Sequence, residues 1–169
     1  SNLGGKARCL AGIDSGDSNQ FTFKFWEHGK LLSGWIYQLN SSTKNLFFAG
    51  REHILFFEEG VGALSRCPGG SIRNVRFFGR KGVVVTRIGD LSAALSLGES
   101  WNRNVACIIP DSEKDLLSLW VYASSEVFHK NVRELNQKLS VSEATFEKIG
   151  FDNEYWTKVA QAQYPNGLP

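Results

Sequence analysis

The chain has 169 residues, 42% of them hydrophobic and five of them tryptophan, with a net charge of +2. That is enough apolar material for one well-packed domain and excludes a disordered chain. No apolar run approaches the ~20 residues needed to cross a bilayer, and no charged segment followed by an apolar one opens the chain as a secretion signal would.

Three cysteines, Cys9, Cys67 and Cys107, are odd in number and widely spaced. They argue against a disulfide framework and point to a reducing cytoplasm. Methionine is absent and the opening Ser1-Asn2 followed by Leu3-Gly4-Gly5 looks like the remnant of a cleaved tag. The expectation is an excised piece of a larger protein.

In chain order, short apolar or alternating runs bounded by glycine predict strands over Gly34–Leu39, Ile54–Phe57, Ile72–Phe78, Gly82–Ile88 and Val105–Ile109. Gly79-Arg80-Lys81-Gly82 reads as the basic tip of a hairpin joining two of them. Pro68-Gly69-Gly70 marks another turn. After Pro110 the period changes. Asp111 or Ser112 can cap a helix with Leu116, Leu117, Leu119, Trp120 and Ala123 on one face. A second helix is expected from Glu126 to Leu139 with Val127, Phe128, Val132, Leu135 and Leu139 inward. A short strand is expected over Thr145–Phe151, and Asp152 caps a third helix with the stripe Tyr155, Trp156, Val159 and Ala160. The fold class is α+β, a β-rich part (1–110) with a helical C-terminal part (111–169) packed on it.

Charge is unevenly placed. Between Glu59 and Asp90 stand six cations and no carboxylate: Arg66, Arg73, Arg76, Arg80, Lys81 and Arg87. Residues 111 to 158 hold six cations against nine acids. A run of guanidinium groups without local partners suits a phosphate-rich surface. The planar fork of arginine can hold a phosphate, or the O6/N7 edge of guanine, through two hydrogen bonds. Arg73, Arg76, Arg80 and Lys81 lead as DNA contacts. Asn74 offers the paired donor and acceptor that match adenine, and Phe77-Phe78 offers an aromatic step. Arg66, Arg87 and Arg103 read as phosphate contacts or ion pairs. The competing reading is a solvated basic loop, or a protein-interaction module that docks on acidic protein surface.

No catalytic set stands out. His28, His53 and His129 are far apart, and no Cys-x-x-Cys, His-Glu-x-x-His, Gly-x-Ser-x-Gly or phosphate-binding glycine loop occurs. Pro110-Asp111 lacks the downstream acid-x-lysine of a nuclease centre. The expectation is a non-enzymatic chain that holds no cofactor.

Two stretches carry a resemblance. Gly12-Ile13-Asp14-Ser15-Gly16-Asp17-Ser18-Asn19-Gln20-Phe21 with Phe25-Trp26-Glu27 resembles the Gly-x-x-Thr-Gly-Asp-Asn-x-Arg-Phe…Trp-Glu opening of certain target-recognition domains. These belong to bacterial N6-adenine DNA methyltransferases of restriction–modification and bacteriophage-exclusion systems. Val132-Arg133-Glu134-Leu135, Ala144-Thr145-Phe146-Glu147-Lys148-Ile149, Trp156-Thr157-Lys158-Val159-Ala160 and Tyr164-Pro165-Asn166-Gly167-Leu168-Pro169 look like the segment that follows this domain. The resemblance implies a β-rich specificity domain that recognises double-stranded DNA for a methyltransferase domain elsewhere in a parent protein. S-adenosylmethionine would be that parent's cofactor, since the Asn/Asp-Pro-Pro-Tyr/Phe motif is absent here. The turn Asp14 to Asp17 also reads as a cap on a helix carrying Phe21, Phe25 and Trp26.

Overall fold

A computed structural model describes residues 1–169. In chain order the elements are β1 (Ala7–Ala11), α1 (Ser18–Phe21), β2 (Thr22–Lys24), β3 (Trp35–Leu39), β4 (His53–Phe56), β5 (Gly82–Thr86), β6 (Ala93–Ser96), β7 (Ser100–Trp101), β8 (Val105–Pro110), α2 (Leu116–Ala123), α3 (Glu126–Leu135), α4 (Glu143–Lys148) and α5 (Asn153–Gln163). The class is α+β. No helix is long and apolar enough to cross a membrane.

The organising layer is an antiparallel sheet in the order β1-β8-β5-β6. Because side chains alternate across a strand, its residues divide cleanly between two cores. Val83, Val85, Ala93, Leu95, Ala106 and Ile108 pack under α2 to α5. Val84, Ala94, Val105, Cys107 and Ile109 meet Leu39, Trp101, Phe77 and Phe78 on the other side. There a second sheet, ordered β2-β4-β3-β7, closes the molecule, with β3 and β7 parallel. A third cluster of Ile13, Phe21, Leu55, Phe57 and Leu64 fills the space beneath that sheet.

The helical layer is built around α2, seven of whose eight residues are buried. Tyr122 at its centre donates its hydroxyl to Gly150 O at 2.6 Å, accepts from Asn131 Nδ2 at 3.1 Å, and is ringed by Phe128, Phe151 and Trp156. The amphipathic reading of α5 holds: Asp152 caps it by accepting from Tyr155 N–H, and Trp156 and Ala160 are buried. Of the other two stripe positions, Val159 is half-buried and Tyr155 is exposed.

Four expectations are corrected. The segment 72–78 is not a strand. Asn74 adopts a left-handed backbone (φ 59°), Val75–Phe77 form a 3-10 turn, and both Phe77 and Phe78 tuck toward the cores, which an alternating strand forbids. The hairpin at Gly79–Gly82 is therefore absent. Its second arm, β5, pairs instead with β6 and β8, while Gly79 lies against Gly98, whose added Cβ would come within 2.6 Å of Gly79 Cα. Thr145–Phe151 is mostly helical, because Phe146 must stack on Phe128 (5.8 Å, 13°) to fill the core. The second helix stops at Leu135, leaving Leu135 and Leu139 exposed along with Val127.

The Gly12 to Phe21 stretch is a structural device. Asp14 Oδ1 accepts from Gly16 N–H at 3.1 Å and Asp17 caps α1 by accepting from Gln20 N–H at 3.2 Å. The helix ends at Phe21, so Phe25 and Trp26 fall in a following 3-10 turn and are exposed. Gly12 runs so close to β7 that an added Cβ would lie 2.2 Å from Asn102 O. Gly12→Ala is therefore expected to lower unfolding free energy by about 2 kcal/mol or more, through forced backbone displacement. Gly29→Ala, whose Cβ would meet nothing within 4 Å, should stay within about 0.5 kcal/mol. Urea unfolding of both variants checks this, and equal midpoints would show that the 12/102 contact is not tight.

Candidate nucleic-acid interface

Apart from Arg66, the cations singled out from sequence separate into two groups, one at each end of β5. Residues 71–81 run along the sheet between them, tethered by backbone hydrogen bonds between Ser71 and Asp14 and from Gly79 N–H to Gly98 O. In the middle, Asn74 Nδ2 donates to Ala11 O at 2.8 Å. That bond uses one of the two amide N–H donors and ties the side chain to β1.

At the start of β5 the Arg76 and Arg80 guanidinium groups lie 5.0 Å and 5.7 Å from the centre of the Phe77 ring. Phe77 itself rests on the second core, so the ring is a fixed platform. Arg80 Nη2 donates to Pro110 O at 3.2 Å, and both arginines are exposed with no carboxylate partner. Lys81 differs: its ammonium pairs with Glu113 at 2.6 Å. Arg8 was not apparent from sequence. It pairs with Ile109 in the β1–β8 register, is exposed, and shares the sheet face of Leu10 and Ile109. The only signal for it is the strand β1, whose five residues carry no clear alternation.

At the other end, Arg73, Arg87 and Arg103 line one cavity together with Asp14. Arg87 is heavily engaged. Its Nε donates to Val141 O at 2.8 Å and its Nη1 to Arg103 O at 3.0 Å, while Glu143 Oε1 sits 3.1 Å away, out of line for a hydrogen bond. Arg103 Nη1 pairs with Asp14 Oδ2 at 2.5 Å. Arg73 is exposed and makes no hydrogen bond or ion pair. Arg66 stands apart at the end of the 63–66 turn, donating to Val61 O at 3.3 Å. The basic run therefore does not form one continuous face.

Burial works against ionisation of Asp14, but the Gly16 N–H bond, the Arg103 pair and the nearby Arg73 charge outweigh it and hold its carboxyl below the usual range. The thiols lie in the opposite direction. Burial pushes Cys107 up to about 12 and raises Cys9 as well, so neither is a thiolate near neutral pH. No three His, Cys, Asp or Glu side chains converge to hold a metal ion. No protein-family model matches the chain, and no curated protein matches it.

Two predictions follow from the unequal engagement of these groups. Arg87→Ala strands the Val141 and Arg103 carbonyls and leaves Glu143 uncompensated, so it should cost about 2–3 kcal/mol of stability. Arg73→Ala and Arg76→Ala should each stay within about 0.5 kcal/mol. Urea denaturation separates the three, and an Arg87 variant as stable as the other two would refute a structural role. For Asp14, the depressed folded value means its stabilising contribution is present above the unfolded carboxylate range. It is lost as pH falls through about 4 and below. Asp14→Asn should be less stable than the parent at pH 7, with the difference shrinking as pH falls below the unfolded carboxylate value of about 4, checked by thermal unfolding at each pH.

Proposed function

We propose that this chain recognises double-stranded DNA as the specificity domain of an adenine-N6 DNA methyltransferase. In that role it positions the duplex for base flipping by a catalytic domain, which binds S-adenosylmethionine elsewhere in the parent. The observation that carries the reading is the exposed pair Arg76 and Arg80 over the Phe77 platform, neither with a carboxylate partner. The likeness of Gly12–Phe21 and of the C-terminal stretches to target-recognition domains supports it.

The physical logic is direct. Stacking over a ring face fixes the plane of a guanidinium and leaves its N–H edge free. Such an edge is the donor pair that matches guanine O6/N7, or a phosphate, bidentately. The two basic groups are separated by the length of β5, roughly 16 Å at about 3.3 Å per residue, comparable to the ~12 Å width of a major groove. One group can hold the backbone while the other reaches base edges.

Fluorescence anisotropy with a library of duplexes tests this. Salt-dependent binding with one sequence preferred is expected. The double variant Arg76→Ala/Arg80→Ala should either lose about 1–3 kcal/mol of discrimination at one or two base positions, or weaken all sequences together and reduce the salt slope by about one per lost phosphate contact. Unchanged affinity across the salt titration would remove both arginines from the interface. No binding by the wild type at low salt would favour a protein-interaction module instead.

A further inference from the structure

We infer that the cavity between Arg73, Arg87 and Arg103 is a seat for one phosphate group, filled by a phosphodiester of the DNA backbone. Its volume is about 260 Å³, and Asp14, Asn104 and Ser140 complete its polar lining. The identity of the donor molecule rests on the DNA-reading function proposed above. The seat itself rests on geometry.

Five separate chain segments meet here, and the hydrogen bonds between them make the walls rigid. Arg87 N–H donates to Asn104 O at 3.1 Å, and Arg103 N–H to Ile13 O at 3.0 Å. Val141 N–H donates to Arg87 O at 2.8 Å, while Val141 O takes Arg87 Nε, which places the adjoining Ser140 at the rim. Asn104 N–H is held by Asn102 Oδ1 at 2.8 Å. The turn before β8 is thereby fixed.

The donors that remain are unspent. The Arg73 guanidinium, Arg87 Nη2, Arg103 Nε and Nη2, the Asn104 side-chain amide and the Ser140 hydroxyl have no hydrogen-bond partner in the chain, whereas Arg87 Nε and Nη1 and Arg103 Nη1 are already committed. Donors arriving from different segments suit a tetrahedral anion that accepts on several oxygens, more than a planar carboxylate that accepts on two. The charge is also matched. Asp14 offsets Arg103 and Glu143 stands against Arg87, so Arg73 is the cation left in excess. A phosphodiester carries one negative charge. Arg73 is then the group that draws the ligand in, and Arg87 and Arg103 form the back wall.

The test is nuclear magnetic resonance titration of the whole chain with inorganic phosphate, and then with a short duplex, for the wild type and Arg73→Gln. Glutamine removes the charge from an exposed position that makes no bond, so folding is retained. Phosphate should shift the amide resonances of Arg73, Ile88, Asn104 and Ser140 selectively, and Arg73→Gln should weaken that binding about tenfold or more. The duplex should shift the same resonances, with the salt slope lowered by about one in the variant. Shifts scattered over the surface, or equal binding by the variant, overturn the seat. Duplex binding that moves other resonances only overturns its assignment to a backbone phosphate. If phosphate binds locally but the wild type ignores duplex altogether, the seat stands for a phosphoester of another molecule and the DNA-reading function falls.

Discussion

The molecule depends on β5 and β8 being covered on both faces. Helices α2 to α5 lie on one side, and Trp101, Leu39, Phe77 and Phe78 on the other. All five residues of β5 and all six of β8 are buried. A strand in that position cannot carry an ionised side chain without a large desolvation cost, so it reads as unbroken apolar or small residues. The cations that flank these strands in sequence have to leave at their ends. Lys81 comes just before β5, Arg87 just after it, and Arg103 two residues before β8. The division of the basic run into two groups is thus a consequence of the central sheet.

What each cation does then depends on how near the helical layer it emerges. The acid-rich C-terminal part returns Glu113 to Lys81 and Glu143 to Arg87. Arg87 becomes a joint, tying the loop before α4 to the end of β5 through Val141 in both directions. Such an arginine contributes position before it contributes charge. Arg76 and Arg80 emerge on the opposite side of the sheet, where they meet the Phe77 ring and, for Arg80, the Pro110 carbonyl, but no carboxylate. A guanidinium on a ring at an exposed site gains about 0.5–1 kcal/mol, enough to bias its orientation, and apart from the Arg80 Nη2 bond to Pro110 the N–H groups have no partner in the chain.

The parts of the fold legible in sequence were those whose pattern is local. Val83-Val84-Val85 and Val105 to Ile109 announced buried strands, and Asp152 with Trp156 and Ala160 announced a capped amphipathic helix. Residues 72–78 misled because Val75, Phe77 and Phe78 look like a strand, while the deciding event is Asn74 reaching Ala11, far away in the chain, and taking a left-handed backbone. Strand β1 was hidden for a related reason. Ala7-Arg8-Cys9-Leu10-Ala11 has weak intrinsic preference and is a strand only because β8 offers it an edge. With β1 unseen, Arg8 could not be placed on the sheet face of Ile109. Composition marks the basic run, but the carboxylates that quench part of it come from elements distant in sequence.

The irregular course of residues 71–81 has a further consequence. The segment is held by its backbone at Ser71 and Gly79, by the Asn74 amide, and by the buried sides of Phe77 and Phe78. None of those anchors is an arginine. Arg73 and Arg76 can therefore be exchanged for other polar residues with little effect on the scaffold, whereas Asn74, Phe77 and Phe78 cannot. A surface whose contacting side chains are uncoupled from the residues that hold it in place can change what it recognises without re-solving how it folds. A regular hairpin would have bound the two properties together, since each outward residue there also sets the register of its neighbours across the ladder.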